Sequence, residues 1–317
     1  MGSALDRAVS TLIRDCLDLK PAEDVLVICN PITEELGALL RINAQGEGGE
    51  ATLAVMSERE SHAAEPPKAV AAAMLAADVV VAPTIQSISH TEARRVATEA
   101  GVRVASMPGV TGEMLARVMG ADLKLLRKRG TSIGRALGAG GEARITCANG
   151  SDLRLGLEDR TALVDAGALS MRGAFGNIPC GEAFIAPLEG TGEGTLVVDG
   201  SIAAIGKLDG PVELTVRGGH LTEATGAAGG QLLELLTEHG PGGTNVAELG
   251  IGTNESAILT GNILEDEKII GTAHVAFGAS AAIGGTVQVP VHLDCVVMRP
   301  TVEIDGHAIV RAGELVV

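Results

Sequence analysis

Four short apolar runs mark the first third of the chain: Asp24-Val-Leu-Val-Ile-Cys29, Ala51-Thr-Leu-Ala-Val-Met56, Asp78-Val-Val-Val-Ala-Pro83 and Val102-Arg-Val-Ala-Ser-Met107. Segments with helical apolar spacing, at 4–19, 34–45, 67–75 and 91–100, precede and separate them. A run that is apolar at nearly every position is buried on both faces. Strands of that kind joined by helices pair in parallel. The expected fold class is therefore α/β, with an N-terminal open parallel sheet flanked by helices.

The pattern changes beyond residues 127–142, where the basic run Arg127-Lys128-Arg129 is expected to end a helix and Ala139-Gly-Gly141 follows. Ala143-Arg-Ile-Thr-Cys147, Asp152-Leu-Arg-Leu-Gly-Leu157, Gly194-Thr-Leu-Val-Val198, Val212-Glu-Leu-Thr-Val216 and Val302-Glu-Ile304 alternate as half-buried strands do, with Gly or Asn-Gly turns between them. One helix is expected at 229–239. This gives two domains: an α/β domain at 1–130 and a β-rich α+β catalytic, metal-binding domain at 140–317.

A net charge of -16, no Trp, no Tyr and only three Phe argue against a nucleic-acid partner, which needs basic side chains and stacking aromatics. No apolar run reaches about 18 residues and the N-terminus lacks a signal pattern, so a cytoplasmic protein with no membrane partner is expected. The scattered cysteines, Cys16, Cys29, Cys147, Cys180 and Cys295, contain no CxxC pair and read as small buried hydrophobes. Cys180 and Cys295 adjoin segments with possible ligands. The first half has neither a G-x-G-x-x-G nor a Walker A sequence. Its loops after strands are read as helix starts, with Thr33 and Ser89 or His90 as caps and His90 as a possible cleft residue.

The chemistry concentrates near the C-terminus. His292 and Asp294, two residues apart on strand-like sequence, leave the same face, and a second strand carrying His274 would complete two imidazoles and a carboxylate. Such a set suits Zn, Co, Mn or non-haem Fe. Glu248 and the run Asp266-Glu267-Lys268 crowd the same region, where unpaired polar groups on an apolar strand are costly. Lys268 is read first as a surface partner of Asp266 or Glu267, and in the alternative as a cation beside the metal carboxylates.

Asn177-Ile-Pro-Cys-Gly-Glu182, Glu248-Leu-Gly-Ile-Gly-Thr-Asn254, Asp266-Glu-Lys268-Ile-Ile-Gly-Thr-Ala-His274 and His292-Leu-Asp294 resemble, in this order, the thermophilic-type metalloaminopeptidases aminopeptidase T and aminopeptidase S. The resemblance implies a hydrolase that removes N-terminal residues from short peptides, commonly as a homodimer. It implies two ions (Zn, Co or Mn) on Glu182, Glu248, His274, His292 and Asp294, with Glu182 or Glu248 as the catalytic carboxylate, acting as bridging ligand or as proton shuttle. The family's Tyr after the Gly-Thr-X-His motif is absent here, and the connection from His274 to His292 is shorter. Ring-cleaving, Fe(II)-dependent dioxygenases of dihydroxypyridines share the late motifs, and for them His274, His292 and Asp294 suffice as ligands of a small-molecule site. A protein that binds a metal or small ligand without turnover is the third expectation.

Overall fold

The computed structural model describes residues 3–317. The chain divides into two compact units, one made of the chain up to Leu123 together with Gly167–Cys180, the other of Lys124–Ala166 together with Gly181–Val317. Among the described residues no helix is long and apolar enough to cross a membrane.

In the first unit, strands β1 (Asp24–Cys29), β2 (Glu50–Val55), β3 (Val79–Ala82), β4 (Arg103–Ser106) and β5 (Phe175–Asn177) form one parallel sheet in the order β2-β1-β3-β4-β5. The continuous apolar runs explain the pairing, since β3 and β4 are buried at every position. Asn30 ties three strand ends together: its Oδ1 accepts from Ile85 N at 2.7 Å and its Nδ2 donates to Met56 O at 3.0 Å. Thr33 Oγ1 donates to Pro83 O rather than capping the next helix, and Thr91, not Ser89 or His90, caps Glu92–Glu99 by accepting from Arg94 N. His90 is exposed.

Two expectations are corrected. Residues 167–180 do not belong with the β-rich half, because β5 hydrogen-bonds in parallel to β4 and so closes the edge of the first sheet. Arg127-Lys128-Arg129 does not end a helix but lies inside Leu123–Ala139, whose apolar face continues through Ile133 and Leu137.

The second unit packs two sheets, of eight and seven strands among the described residues, over one core. The seven-stranded sheet contains β6 (Glu182–Ile185), β7 (Val246–Gly252), β8 (Ala273–Gly278) and β9 (His292–Val297), adjacent and antiparallel in the order β9-β8-β7-β6. Alternation sends Ala183, Ile185, Leu249, Ile251, Ala273, Val275, Phe277, Cys295 and Val297 into the core. Glu182, Glu248, His274, His292 and Asp294 take the opposite face.

A β-bulge in β7 makes that division possible. Val246 faces Phe277 and Glu248 faces Ala276, so two steps on β7 match one on β8. The extra residue reverses the alternation, and both Val246 and Leu249 reach the core while Glu248 turns to the other face.

Candidate metal centre

The register brings the polar residues of four neighbouring strands together. Asp294 is paired with Ala276, which in turn faces Glu248 across the next strand, so the two carboxylates flank one small side chain. His274 lies opposite Gly250. A Cβ on Gly250 would fall 1.9 Å from His274 Nε2, so the imidazole lies directly over the glycine and reaches across β7. Glycine here provides room rather than conformational freedom.

From that position His274 Nε2 is 3.3 Å from Glu248 Oε1 and 3.2 Å from Glu182 Oε2. The second Glu248 oxygen is 3.5 Å from His292 Nε2, which is 3.7 Å from Asp294 Oδ1. His292 Nδ1 lies 2.8 Å from Ala279 O, a contact that orients the ring with Nε2 toward the carboxylates. His274 is fully buried, Glu182, Glu248 and Asp294 are buried, and the His292 side chain is 19% exposed at the margin.

Among the described residues two groups bring donor atoms within 4.8 Å of one another: Glu182, Glu248 and His274, and Glu267, His274 and Asp294. His292 joins neither, although it contacts a member of each. Donors about 2.1 Å from one ion lie about 3 Å apart at right angles and about 4 Å apart across it. The contacts from 3.2 to 3.7 Å therefore suit vertices of a coordination sphere. Glu182 Oε2 is buried and has no hydrogen-bond partner, its approach to Nε2 being misaligned for one. An ion would satisfy it, so the donor set fits a divalent metal.

Lys268 is not at the surface. It is fully buried, and its Nζ donates to Glu182 Oε1 at 2.7 Å and to Glu267. Asp266 also turns inward and clamps a loop, accepting from Thr260 N at 2.7 Å, Thr260 Oγ1 at 3.2 Å and Gly261 N at 2.9 Å. Replacing Asp266 with Ala is expected to lower stability by about 3 kcal/mol, the scale of lost hydrogen bonds to a buried charge. The metal content of the folded fraction should stay unchanged; a loss of metal with unaltered melting would show that Asp266 is a ligand instead.

Charges inside the cluster set its proton affinities. Burial alone would push His274 and His292 down, but Glu182 and Glu248 around the first, and Asp294 and Glu248 around the second, hold both well above the usual histidine range. Burial would raise Asp294, yet His292 and His274 bring it to about 2. Glu182 behaves similarly: burial opposes its charge, while Lys268 and His274 keep it below the usual carboxylate range. For Glu267 burial wins, helped by Glu182 and Asp294 against Lys268, and it is pushed up to about 8. Cys295 faces the core, and burial raises its thiol, so it packs rather than ligates.

All five residues expected at the site share this sheet face; Lys268 was expected there only as the alternative to a surface pair, and Glu267 and Gly250 were not foreseen as parts of it. Gly250 and Gly252 alternate with Leu249 and Ile251 on the side of Glu248. A strand whose polar face is glycine signals that something from a neighbour occupies that face.

The profile of the NicX family, described as 2,5-dihydroxypyridine 5,6-dioxygenase, matches residues 24–317. The chain belongs to this NicX family. Similar solved structures include the 2,5-dihydroxypyridine dioxygenase from Pseudomonas putida KT2440, with a TM-score of 0.86, 20% identity and coverage of 100% of this chain and 98% of that one. Wild-type AmpT from Thermus thermophilus aligns with a TM-score of 0.74 at 17% identity, covering 99% of each chain. No curated protein sequence matches the chain. The fold is thus common to a dioxygenase and AmpT, while the family shown for this chain is the NicX family of enzymes, not specifically an aminopeptidase family, and its donor set fits a metal.

Proposed function

We propose that this NicX-family chain is an Fe(II)-dependent dioxygenase that opens a dihydroxypyridine-type ring, with His274, His292 and Asp294 as the ligands of the ion. The observation that carries this reading is the position of Asp294 between two imidazoles. It is 3.7 Å from His292 Nε2 and groups with a His274 nitrogen, within a chain whose family profile bears the dioxygenase description. Two imidazoles and one carboxylate on one sheet face leave the opposite positions free for a chelating substrate and O₂. An iron(II) ion held there would relay electrons from the bound ring to O₂, both of whose oxygen atoms end in the ring-opened product. Glu248, with one oxygen 3.5 Å from His292 Nε2 on the more open side, accepts the ring hydroxyl proton as the substrate binds. Glu182, one oxygen held by Lys268, keeps its negative charge beside His274.

A two-metal aminopeptidase acting on short peptides is the second reading. The contacts of Glu182 and Glu248 with the same His274 nitrogen favour it, since a mononuclear iron site does not need both carboxylates. The absence of any Tyr in the chain weighs against it.

One experiment separates the two. Protein loaded anaerobically with Fe(II) is expected to consume one O₂ per molecule of 2,5-dihydroxypyridine and to lose this on chelation. Protein loaded with Zn, Co or Mn is expected to release no amino acid from unblocked peptides. No O₂ uptake, together with metal-dependent peptide hydrolysis, would replace the first reading by the second.

A further inference from the structure

We propose that the Lys268 ammonium takes the place of a second metal ion, limiting the centre to a single divalent cation seated against His274. The assignment deepens the reading of a one-iron site and names the residue that enforces it.

Lys268 is fully buried, and a buried ammonium persists only where carboxylates surround it. It holds Glu182 Oε1 at 2.7 Å and pairs with Glu267. A second ion would need those same carboxylates, because one compact donor group includes Glu182 and the other Glu267. Glu182 is thereby divided: Oε1 faces the ammonium, and Oε2, buried without a hydrogen bond, faces His274. Paired ions in two-metal enzymes sit about 3.5 to 4 Å apart. A second ion at that distance, on the Glu182 side, would meet the ammonium at close range, and like charges in a buried setting repel strongly.

The backbone leaves the lysine little freedom to withdraw. Lys268 N donates to Glu265 O at 2.9 Å, and Lys268 O accepts from Asn254 N at 2.9 Å. The short helix Ile263–Asp266 before it is held by the Asp266 clamp. Lys268 is therefore a positioning residue, which acts on the metal through Glu182 and Glu267.

Cobalt(II) titration of the chelator-stripped full chain tests this, with bound ions counted after dialysis and paired ions detected by magnetic coupling in electron paramagnetic resonance. The wild type is expected to hold one ion without coupling, Lys268→Arg also one, and Lys268→Met two, because loss of the cation frees Glu182 and Glu267. A merely structural lysine would lower stability in the variants and never raise the ion count. Two coupled ions in the wild type, or one in folded Lys268→Met, would overturn the proposal. If Lys268→Met does not fold, the wild-type and Lys268→Arg counts decide, and a second ion in either rejects it. Failure of the dioxygenase reading is separable: one bound ion with no O₂ uptake leaves the role of Lys268 standing.

Discussion

Gly250→Ala is expected to abolish metal binding while leaving the second unit folded. The new methyl group would fall 1.9 Å from His274 Nε2, well inside van der Waals contact, so the imidazole must leave the space above β7. His274 belongs to both compact donor groups, and its displacement removes a nitrogen from each. Disturbing an outer-shell partner alone costs about 10- to 100-fold in metal affinity. Loss of a donor should exceed 100-fold and remove activity with it. The cost in stability should be moderate, about 1 to 3 kcal/mol, because overpacking can relax by turning the ring. Competition against a chromophoric chelator, with circular dichroism as the control for folding, measures both. Wild-type affinity in Gly250→Ala would show that the His274 position above the glycine is not the one that binds metal.

Metal uptake by the stripped protein should strengthen steeply with pH, by up to about 100-fold per unit while both imidazoles still carry protons. A metal needs neutral imidazole. In the metal-free protein the carboxylates hold His274 and His292 protonated well beyond the ordinary histidine range, so each must lose a proton on binding. One displaced proton makes apparent affinity tenfold stronger per pH unit, and two make it about 100-fold. Asp294, at about 2, is already ionised and contributes none. The stability of the metal-free fold should run the opposite way. A raised folded pKa gives stability that is fully present below the unfolded value near 6.5 and disappears as pH rises through the folded value. Stripped protein should thus melt at lower temperature as pH increases over that range, while loaded protein gains. Calorimetry in buffers of different ionisation enthalpy would count the released protons, and a count of zero at neutral pH would mean that the imidazoles are neutral before metal arrives.

Much of this architecture could be read from single runs of sequence. Asp24–Cys29 matches its expected strand because a stretch buried on both faces has no polar position to shift its register. The strands of Glu182, His274, His292 and Asp294 were recognisable as ordered motifs, and their convergence on one sheet face follows from alternation and antiparallel pairing. What could not be read depends on partners distant in sequence. Lys268 looks like an ordinary surface lysine beside two acids until Glu182, 86 residues away, is placed next to it. The bulge before Glu248 has no glycine of its own to announce it, and a strict alternation from Val246 would have put Glu248 and Val246 on the same face. Thr91 rather than Ser89 or His90 caps its helix because the loop after β3 runs further than spacing suggested.

The return of Phe175–Asn177 to the first sheet makes neither unit a continuous stretch of the gene. During synthesis the parallel sheet must wait with β4 as its unprotected border while residues 124–166 emerge. A fragment stopped at residue 130 would keep that border permanently, with its hydrogen-bonding groups open to another copy's strand. The two halves of this enzyme are therefore inherited together: exchanging either one between relatives requires three cuts, after residues 123, 166 and 180, not one cut in the middle of the chain.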